Sequence, residues 1–482
     1  MRLGELLVAQ GLVTVADIGA ATAWQREKGG RLGEILVALG KLTTTQLESA
    51  IHQSPTTPRT LQEVGIPAAS LLQLLLKFMF QQARNNVFDL TKALKLPNNV
   101  VQELTDDAAR RDLIQPMGSV TLGTVSQIRY TLSERGRNAA QDALARNPYI
   151  GPAPVPLASF QAQIERQHIT NEAIDRTALA ACFEGLVVPE HFLRKIGPAI
   201  NAGRTILLFG PPGNGKTTLA TRLGKLFRNV VYVPYAVEIE GQIMTVFDPS
   251  LHKRVESEEV PTAAAGARRE EFDHRWVPCR RPVVIAGGEL QLDMLDLSTN
   301  PESRFYEAPL HVKALNGIFL IDDFGRQQVS PEALLNRWIL PMASRIDFLK
   351  LNTGRSFQLP FDELLIFSTN LDPADLMDPA FLRRIPYKIK LNSPTTAEYR
   401  QIFDGVAAHA GLALSDAMFD LILDRLTMQY GCKLAYYQPG FICDQIVASC
   451  KYDGVTPHFT EAAVMSALSN LYVHIADQQG AE

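Results

Sequence analysis

The sequence predicts an α/β protein whose parallel sheet carries a glycine-rich turn, with smaller units before the sheet and a helical lid after it. From about residue 186, apolar strand patterns alternate with helical patterns, which is typical of a parallel sheet with helices on both faces. The chain of 482 residues is too long for one hydrophobic core and suggests about three domains. The strands are expected at 205–209, 230–235, 318–321, 364–368 and 385–391.

Changes in pattern and composition divide the chain into five segments. They are a helical tandem repeat (1–54), a mixed α+β unit (61–146), a linker (147–185), the α/β unit (186–394) and the helical lid (395–482). The linker is predicted because it opens with NPYIGPAPVPLA, which is rich in proline and glycine.

Composition excludes several classes of protein. The net charge of −4 argues against a chain that coats nucleic acid or an anionic membrane. The five cysteines are odd in number and lack CxxC spacing, so neither a disulfide framework nor a zinc ribbon is expected. No apolar run reaches transmembrane length and the N-terminus lacks a signal-peptide core. We therefore expect a cytoplasmic protein that does not insert into membranes.

The glycine-rich turn has the spacing of a phosphate-binding loop. GPPGNGKTT follows the apolar strand RTILLF and precedes a helical stretch. Glycines allow backbone N–H groups to turn toward a phosphate, Lys216 neutralises its oxygens, and Thr217 offers a hydroxyl to Mg²⁺. The predicted ATP contacts are Gly210, Pro211, Pro212, Gly213, Asn214, Gly215, Lys216, Thr217, Thr218 and Asp322.

Polar residues end two later strands and complete the predicted site. Asp322 and Asp323 come directly after the apolar run IFLI, where ligands gather in open α/β sheets. We expect Asp322 to bind Mg²⁺ with Thr217, and Asp323 to orient or deprotonate the attacking water. Asn370 ends LLIFST and is expected to hold that water. The alternative is that Asn370 caps the next turn of the chain.

Two arginines end the stretch DPAFLRRI. An arginine at this place can reach the γ-phosphate bound by a neighbouring subunit. Arg384 is the first candidate and Arg383 the second. The alternative for either residue is an ordinary surface ion pair.

These four motifs occur in the order and spacing of the Walker A, Walker B, sensor 1 and arginine-finger elements, and the chain from residue 186 onward resembles the AAA+ family. The resemblance implies ATP hydrolysis and assembly into a ring, usually a hexamer. Two departures are present: Asp323 stands where glutamate is more usual, and QPGF (438–441) stands where a sensor 2 arginine is expected. The shorter carboxylate predicts slow hydrolysis.

The segment between residues 235 and 315 is longer than a minimal AAA+ core requires. KALNGIFLIDD resembles the corresponding sequence of MoxR-type and magnesium-chelatase-type ATPases, which carry a helix-2 insert. Such inserts often act on a substrate. The alternative is a surface elaboration without a motor role.

An internal repeat opens the chain. RLGELLVAQGLVT and RLGEILVALGKLT recur in a register of 29 residues and resemble the MshEN-type domain of secretion and pilus ATPases. The resemblance implies binding of cyclic di-GMP as an effector. The residues it assigns to this ligand are Arg2, Leu3, Gly4, Gln25, Arg31, Leu32, Gly33 and Gln53. The alternative is a protein-interaction domain that keeps the fold without the ligand.

The second unit resembles a winged helix. Its helices are expected at 71–83, 87–94, 98–109 and 134–145, with a β-wing over 119–132. The candidate recognition helix, 98–111, carries three acidic residues beside Arg110 and Arg111, which favours protein contact over DNA contact.

The leading hypothesis from the sequence is an ATPase that remodels a protein partner under N-terminal regulation. Two alternatives remain at this stage. One is a DNA-associated regulator that uses the winged helix. The other is a nucleotide-dependent switch or scaffold with little turnover, which the departures at Asp323 and QPGF suggest.

Overall fold

The computed structural model describes residues 3–44, 46–47, 54–122, 125–255, 272–299 and 304–472. The helices of these segments are α1 Leu3–Ala9, α2 Val15–Lys28, α3 Leu32–Ala38, α4 Ala68–Gln82, α5 Val87–Leu94, α6 Asn98–Arg110, α7 Glu134–Arg146, α8 Leu157–Arg166, α9 Arg176–Cys182, α10 Glu190–Asn201, α11 Lys216–Arg222, α12 Leu310–Lys313, α13 Pro331–Ser344, α14 Pro373–Leu376, α15 Pro379–Leu382, α16 Thr396–His409, α17 Asp416–Asp424, α18 Gln438–Tyr452 and α19 Glu461–Leu471.

The strands form one parallel sheet and several smaller sheets. They are β1 Ile114–Leu122, β2 Val125–Leu132, β3 Val155–Pro156, β4 Ile206–Phe209, β5 Val230–Pro234, β6 Ala236–Ile239, β7 Gln242–Thr245, β8 Trp276–Arg280, β9 Val283–Ala286, β10 Ser298–Thr299, β11 Tyr306–Glu307, β12 Ile318–Ile321, β13 Ile346–Lys350, β14 Ser356–Pro360, β15 Leu364–Thr369 and β16 Tyr387–Lys390.

The parallel sheet has the strand order β16-β4-β15-β12-β9, and every neighbouring pair in it is parallel. Alternate side chains of its strands enter two different cores: Leu208 and Leu320 lie in one, Leu207 and Phe319 in the other. This period of two is expected for a sheet covered on both faces. The structure therefore has the mixed α/β architecture and the parallel sheet that the sequence predicts.

One predicted strand of this sheet belongs elsewhere. The stretch 230–235 was expected in the parallel sheet, but β5 pairs antiparallel with β8. The edge position beyond β12 is taken by β9, from within the predicted insert. Both strands are short apolar runs, and an apolar run alone does not specify which partner it will pair with.

A second β region lies beside the parallel sheet. It contains a sheet with the order β10-β11-β7-β6-β3, the β5–β8 ladder and the β13–β14 hairpin. These three share one hydrophobic core, in which Val231, Met244 and Leu359 are all buried. The long segment between residues 235 and 315 therefore supplies β6, β7, β8, β10 and β11 to this second β region.

The predicted linker over 147–185 needs correction. This segment contains β3, α8 and α9, and its side chains Tyr149, Phe160 and Ile164 are buried. Proline and glycine at its start mark turns of the backbone. The apolar residues between and after them pack into the cores of the neighbouring units.

Helices α4 to α7 and the β1–β2 hairpin form a unit with its own core. The helix bounds lie within three residues of those predicted, and the winged-helix interpretation stays a prediction. This unit is fastened to the second β region by Arg275, whose guanidinium is buried. It donates to the carbonyl oxygens of Val64 (3.0 Å) and Pro154 (3.1 Å) and forms an ion pair with Asp273 (2.8 Å).

Helices α16 to α19 pack around a separate core after the parallel sheet. Helix α16 begins at a capping box in which Thr395 and Glu398 satisfy each other's backbone N–H groups. Within the described parts of the chain, no helix is both long enough and apolar enough to cross a membrane.

Candidate functional site

The glycine-rich loop connects β4 to α11 at the carboxyl edge of the parallel sheet. Gly213 and Gly215 both have φ of 75°, a left-handed conformation that favours glycine. A Cβ atom at Gly210 would lie 2.2 Å from the carbonyl oxygen of Leu391, at the end of β16. The loop therefore lies against neighbouring backbone, and its glycines meet conformational and steric requirements.

Lys216 is the first residue of α11, and its side chain is buried against this loop. Its Nζ donates to the carbonyl oxygens of Gly210 and Pro211, both at 2.9 Å, and to Oδ1 of Asn370 at 2.6 Å. Burial lowers the pKa of the Lys216 ammonium, and the nearby carboxylates of Asp323 and Asp322 oppose that shift. The ammonium is thus held by uncharged oxygens in a loop shaped for an anion.

Thr217 and Asp322 join helix α11 to strand β12. The hydroxyl of Thr217 donates to Oδ2 of Asp322 at 2.7 Å. Asp322 comes directly after the last residue of β12, and its own N–H donates to the carbonyl oxygen of Ala286. The adjacent β9 thereby fixes the backbone that carries this carboxylate.

Asn370 links Lys216 to Asp323. While its Oδ1 accepts from Lys216, its Nδ2 donates to Oδ1 of Asp323 at 3.0 Å. Asp323 has φ of 48°, a left-handed conformation that costs a non-glycine residue about 1 kcal/mol or more. Asn370 does not cap the next turn, which was the alternative role, because the side chain of Asp372 caps helix α14.

Gln327 is a residue of the site that the sequence did not suggest. Its Nε2 donates to the carbonyl oxygen of Asp322 at 2.8 Å, and its Oε1 accepts from the N–H of Gly325 at 2.9 Å. It therefore holds the turn that presents both aspartates. No sequence motif identifies Gln327, because a polar side chain of this length is common in turns and does not by itself indicate a role.

The oxygen atoms of Thr217 and Asp322 suit a magnesium ion shared with a nucleotide. Mg²⁺ prefers oxygen ligands and usually takes only one or two from protein carboxylates, with water and phosphate supplying the others. The described residues contain no cluster of three or more His, Cys, Asp or Glu side chains that would form a metal cage by themselves. The residues present therefore fit the predicted ion.

The two candidate arginines lie away from the loop of their own chain. Arg383 and Arg384 are exposed at the end of α15, and the latter donates to the carbonyl oxygen of Ala380 at 3.2 Å. They line a cleft of about 430 Å³ together with Arg204 and Arg345. Among the described residues that line this cleft, none is acidic and none belongs to the glycine-rich loop. The cleft is therefore a separate, positively charged site.

The helical unit of α16 to α19 contributes a residue that the sequence did not suggest. Tyr437, just before α18, donates its N–H to the carbonyl oxygen of Gly213 at 3.2 Å. Its ring covers the same glycine, where an added Cβ would lie 2.2 Å from Cδ1 of the tyrosine. The departure at QPGF pointed to this part of the lid, but its spacing gave no reason to single out Tyr437.

The glycines of the N-terminal repeat have a packing role. A Cβ at Gly4 would lie 3.3 Å from Leu32, and one at Gly33 would lie 3.3 Å from Leu3 and 2.6 Å from Leu47. Each glycine thus lets the leucine of the other repeat approach the helix backbone. The packing of the two repeats therefore accounts for both glycines that the resemblance assigns to cyclic di-GMP.

The polar residues assigned to cyclic di-GMP are only partly described. Arg2 and Gln53 lie outside the described residues. Arg31 is largely exposed and lies 3.9 Å from Glu34, a long ion pair. Gln25 donates to the carbonyl oxygen of Gly30 at 2.8 Å. Gln25 thus contacts the residue directly before Arg31.

Comparison with known proteins adds little to this geometry. The family model that matches, described as a domain of unknown function (DUF8689), spans residues 395–470, within the segment that contains α16 to α19. No curated protein matches the chain.

Three solved structures give weak likenesses. A RuvB mutant from Thermotoga maritima is 13% identical with a TM-score of 0.34, covering 63% of this chain and 72% of its own. NtrX from Brucella abortus is 12% identical with a TM-score of 0.37, covering 60% and 56%. The Thermotoga maritima RuvB Holliday junction branch migration motor is 15% identical with a TM-score of 0.31, covering 66% and 72%. The parallel sheet and the glycine-rich loop of the chain itself are consistent with an AAA+ core.

If Thr217 and Asp322 share a magnesium ion, then Thr217→Ala removes one ligand and should weaken magnesium-dependent nucleotide binding roughly tenfold or more. Thr217→Ser is the matched control because it keeps the hydroxyl. Calorimetric titration of ATP at several magnesium concentrations measures both. Equal affinities for the alanine and serine variants would show that this hydroxyl has no part in binding.

Proposed function

We propose that this chain is an ATPase of the AAA+ type, which binds ATP with Mg²⁺ and hydrolyses it. The observation that carries the proposal is one group of hydrogen-bonded side chains at the carboxyl ends of β4, β12 and β15. Thr217 bonds to Asp322, and Asn370 bonds to both Lys216 and Asp323. Residues far apart in the sequence thus meet where a triphosphate would lie.

Each side chain has a distinct role in this proposal. The Lys216 ammonium exchanges its three uncharged partners for phosphate oxygens. Thr217 and Asp322 would hold Mg²⁺, which would supply positive charge to neutralise the phosphates. Asp323 accepts the hydrogen of the attacking water, and Asn370 fixes the position of that carboxylate and of the water.

The contact between Asp323 and Asn370 bears on the rate of hydrolysis. An aspartate reaches one methylene less far than a glutamate, and the amide at 3.0 Å holds its carboxylate beside β15. A water bound here must therefore lie close to the strand ends. This arrangement supports slow turnover, and a switch with negligible turnover is the second candidate function.

Steady-state hydrolysis separates these two functions. If Asp323 is the base, Asp323→Ala should lower kcat by about 10²-fold or more while ATP affinity stays within about threefold, since general-base catalysis contributes 10²–10⁴-fold. Lys216→Ala is the reference variant that should lose binding. Wild-type turnover no faster than that of Asp323→Ala would favour the switch.

The arginine-lined cleft supports assembly of several copies into a ring, for which a hexamer is the expected size. Four guanidiniums line the cleft and attract an anion, although the carboxylates of Asp362 and Glu363 act on Arg345 from outside the cleft lining. Because the cleft contains none of the chain's own loop residues, the fitting anion is the γ-phosphate bound by an adjacent copy. Arg384 is the proposed finger, with Arg383 second.

A mixing experiment tests the finger. Arg384→Ala should bind ATP normally yet hydrolyse it at least about 10³-fold more slowly, the usual contribution of such an arginine. Adding the Lys216→Ala protein, whose Arg384 is intact, should restore part of the activity. Failure of this rescue while mixed assemblies form would contradict action between subunits. Arg383→Ala, measured in parallel, decides between the two arginines.

We further propose that the ATPase remodels a protein partner held by the second β region and the units fastened to it. The support is the bulk of folded structure that surrounds the parallel sheet without contributing to the loop. The Asp323→Ala variant also tests this idea. A partner should stay bound to the ATP-loaded variant and leave the wild type during turnover, and equal release from both would contradict it.

Regulation by cyclic di-GMP is a separate proposal that rests on the resemblance of the repeat. The packing roles of Gly4 and Gly33 account for two of its residues without a ligand. If the ligand binds, Arg31→Ala should weaken binding to the full chain roughly tenfold or more, as loss of a charge-assisted bond implies. Calorimetry with cyclic di-GMP measures this, with Arg26→Ala as control. If the wild type gives no heat of binding, the ligand is excluded and the remaining interpretation of the repeat is a protein-interaction domain.

Contacts within α6 favour a protein-binding role for the second unit over DNA binding. Arg110 and Arg111 lie 3.4 Å and 2.9 Å from the carboxylate of Asp107. Asp107 therefore offsets part of their positive charge, which weakens the attraction to phosphates. DNA binding is the less favoured alternative.

A further inference from the structure

We infer that Tyr437 is a positioning residue of the nucleotide site, through which the lid shapes the phosphate-binding loop. This inference rests on the proposed ATP binding and names a contact that regulates the same site. Tyr437 touches Gly213 in two ways, with its backbone N–H at 3.2 Å and with its ring. A lid residue that holds one loop residue twice controls its conformation.

The backbone contact determines which way a peptide group of the loop faces. In a planar trans peptide, the C=O of one residue and the N–H of the next point in opposite directions. When the Gly213 carbonyl turns toward Tyr437, the N–H of Asn214 turns away from the lid residue. A phosphate-binding loop depends on such inward N–H groups. The lid therefore orients one donor of the loop.

The ring contact keeps this arrangement in place. The three nearest atoms to an added Cβ at Gly213 all belong to the Tyr437 ring, at 2.2, 2.6 and 3.3 Å. Glycine is needed here for two independent reasons, because its φ of 75° is also left-handed. About 45% of the Tyr437 side chain is nevertheless exposed, so the ring lies over the loop at the protein surface.

The lid holds Tyr437 through its neighbour Gln438, which is almost completely buried. The Gln438 side chain accepts from the N–H of Ala435 at 2.8 Å. It donates to the carbonyl oxygen of Lys433 at 3.1 Å and to the hydroxyl of Tyr472 at 2.6 Å. The segment before α18 is therefore fixed to the end of the last lid helix, and a displacement of the lid displaces Tyr437.

The other side of the loop is fixed to the sheet. Asn214 Nδ2 lies 3.4 Å from the carbonyl oxygen of Leu391, which also blocks any side chain at Gly210. Leu391 precedes the short connection to α16, the first lid helix. The loop is thus held between the end of the parallel sheet and Tyr437, so a movement of the lid relative to the sheet changes the shape of the loop.

Variants at Tyr437 separate the two contacts. Tyr437→Ala removes the ring and keeps the N–H, whereas Tyr437→Pro removes both. Proline suits this position because φ of Tyr437 is −80°. We expect the Kd for ATP to rise about fivefold in the proline variant relative to the alanine variant, as loss of one hydrogen bond implies. Tyr437→Phe should stay close to wild type.

The kinetic signature distinguishes positioning from chemistry or misfolding. KM should rise in the alanine and proline variants while kcat at saturating ATP stays within about twofold, because the catalytic side chains are unchanged. Tyr452→Ala is the matched control, since Tyr452 lies on α18 with its side chain 92% exposed. Equal Kd values for the alanine and proline variants would overturn the role of the backbone bond.

A double-mutant cycle gives a second test if Tyr437→Pro fails to fold. Gly213→Ala should weaken ATP binding at least about fivefold more in the wild type than in Tyr437→Ala, where the obstructing ring is absent. Equal effects in both backgrounds would overturn the inference. Lys216→Ala keeps the two proposals apart: if the wild type binds ATP no better than this variant, the proposed function itself is wrong.

Discussion

The arrangement of the site depends on one buried ammonium. Lys216 Nζ contacts two carbonyl oxygens of its own loop and the amide oxygen of Asn370, on a neighbouring strand. A buried cation is costly unless it is paired or well hydrogen-bonded, so its position restricts where the loop and the strand end can lie. Asn370 in turn donates to the carboxylate of Asp323. This hydrogen bond helps to offset the unfavourable left-handed backbone conformation of Asp323.

Much of this site could be predicted from the sequence because its signals are local. The spacing of GPPGNGKTT and the two aspartates after IFLI each identify a strand together with the turn at its carboxyl end. In a parallel sheet, such ends meet at one edge. The structure brings Lys216, Thr217, Asp322, Asp323 and Asn370 together as this reasoning requires.

Other parts depend on contacts between distant segments and could not be predicted. β5 and β9 are similar apolar runs, so their composition does not indicate which of them joins the parallel sheet. β9 pairs with β12 of that sheet, whereas β5 pairs with β8. Tyr437 lies 224 positions beyond the glycine that it covers, as its number and that of Gly213 show. Gly4 and Gly33 show a further limit of prediction from sequence. A glycine can make room for a ligand or for a leucine side chain, and the sequence does not distinguish the two.

The buried contacts of Arg275 have a mechanical consequence. Its guanidinium bonds to the backbone on both flanks of the second unit, at Val64 and Pro154, and removing one member of a buried ion pair usually costs about 3–5 kcal/mol. These bonds therefore oppose movement of the second unit relative to the second β region. We expect the second unit and the second β region to move together as one body.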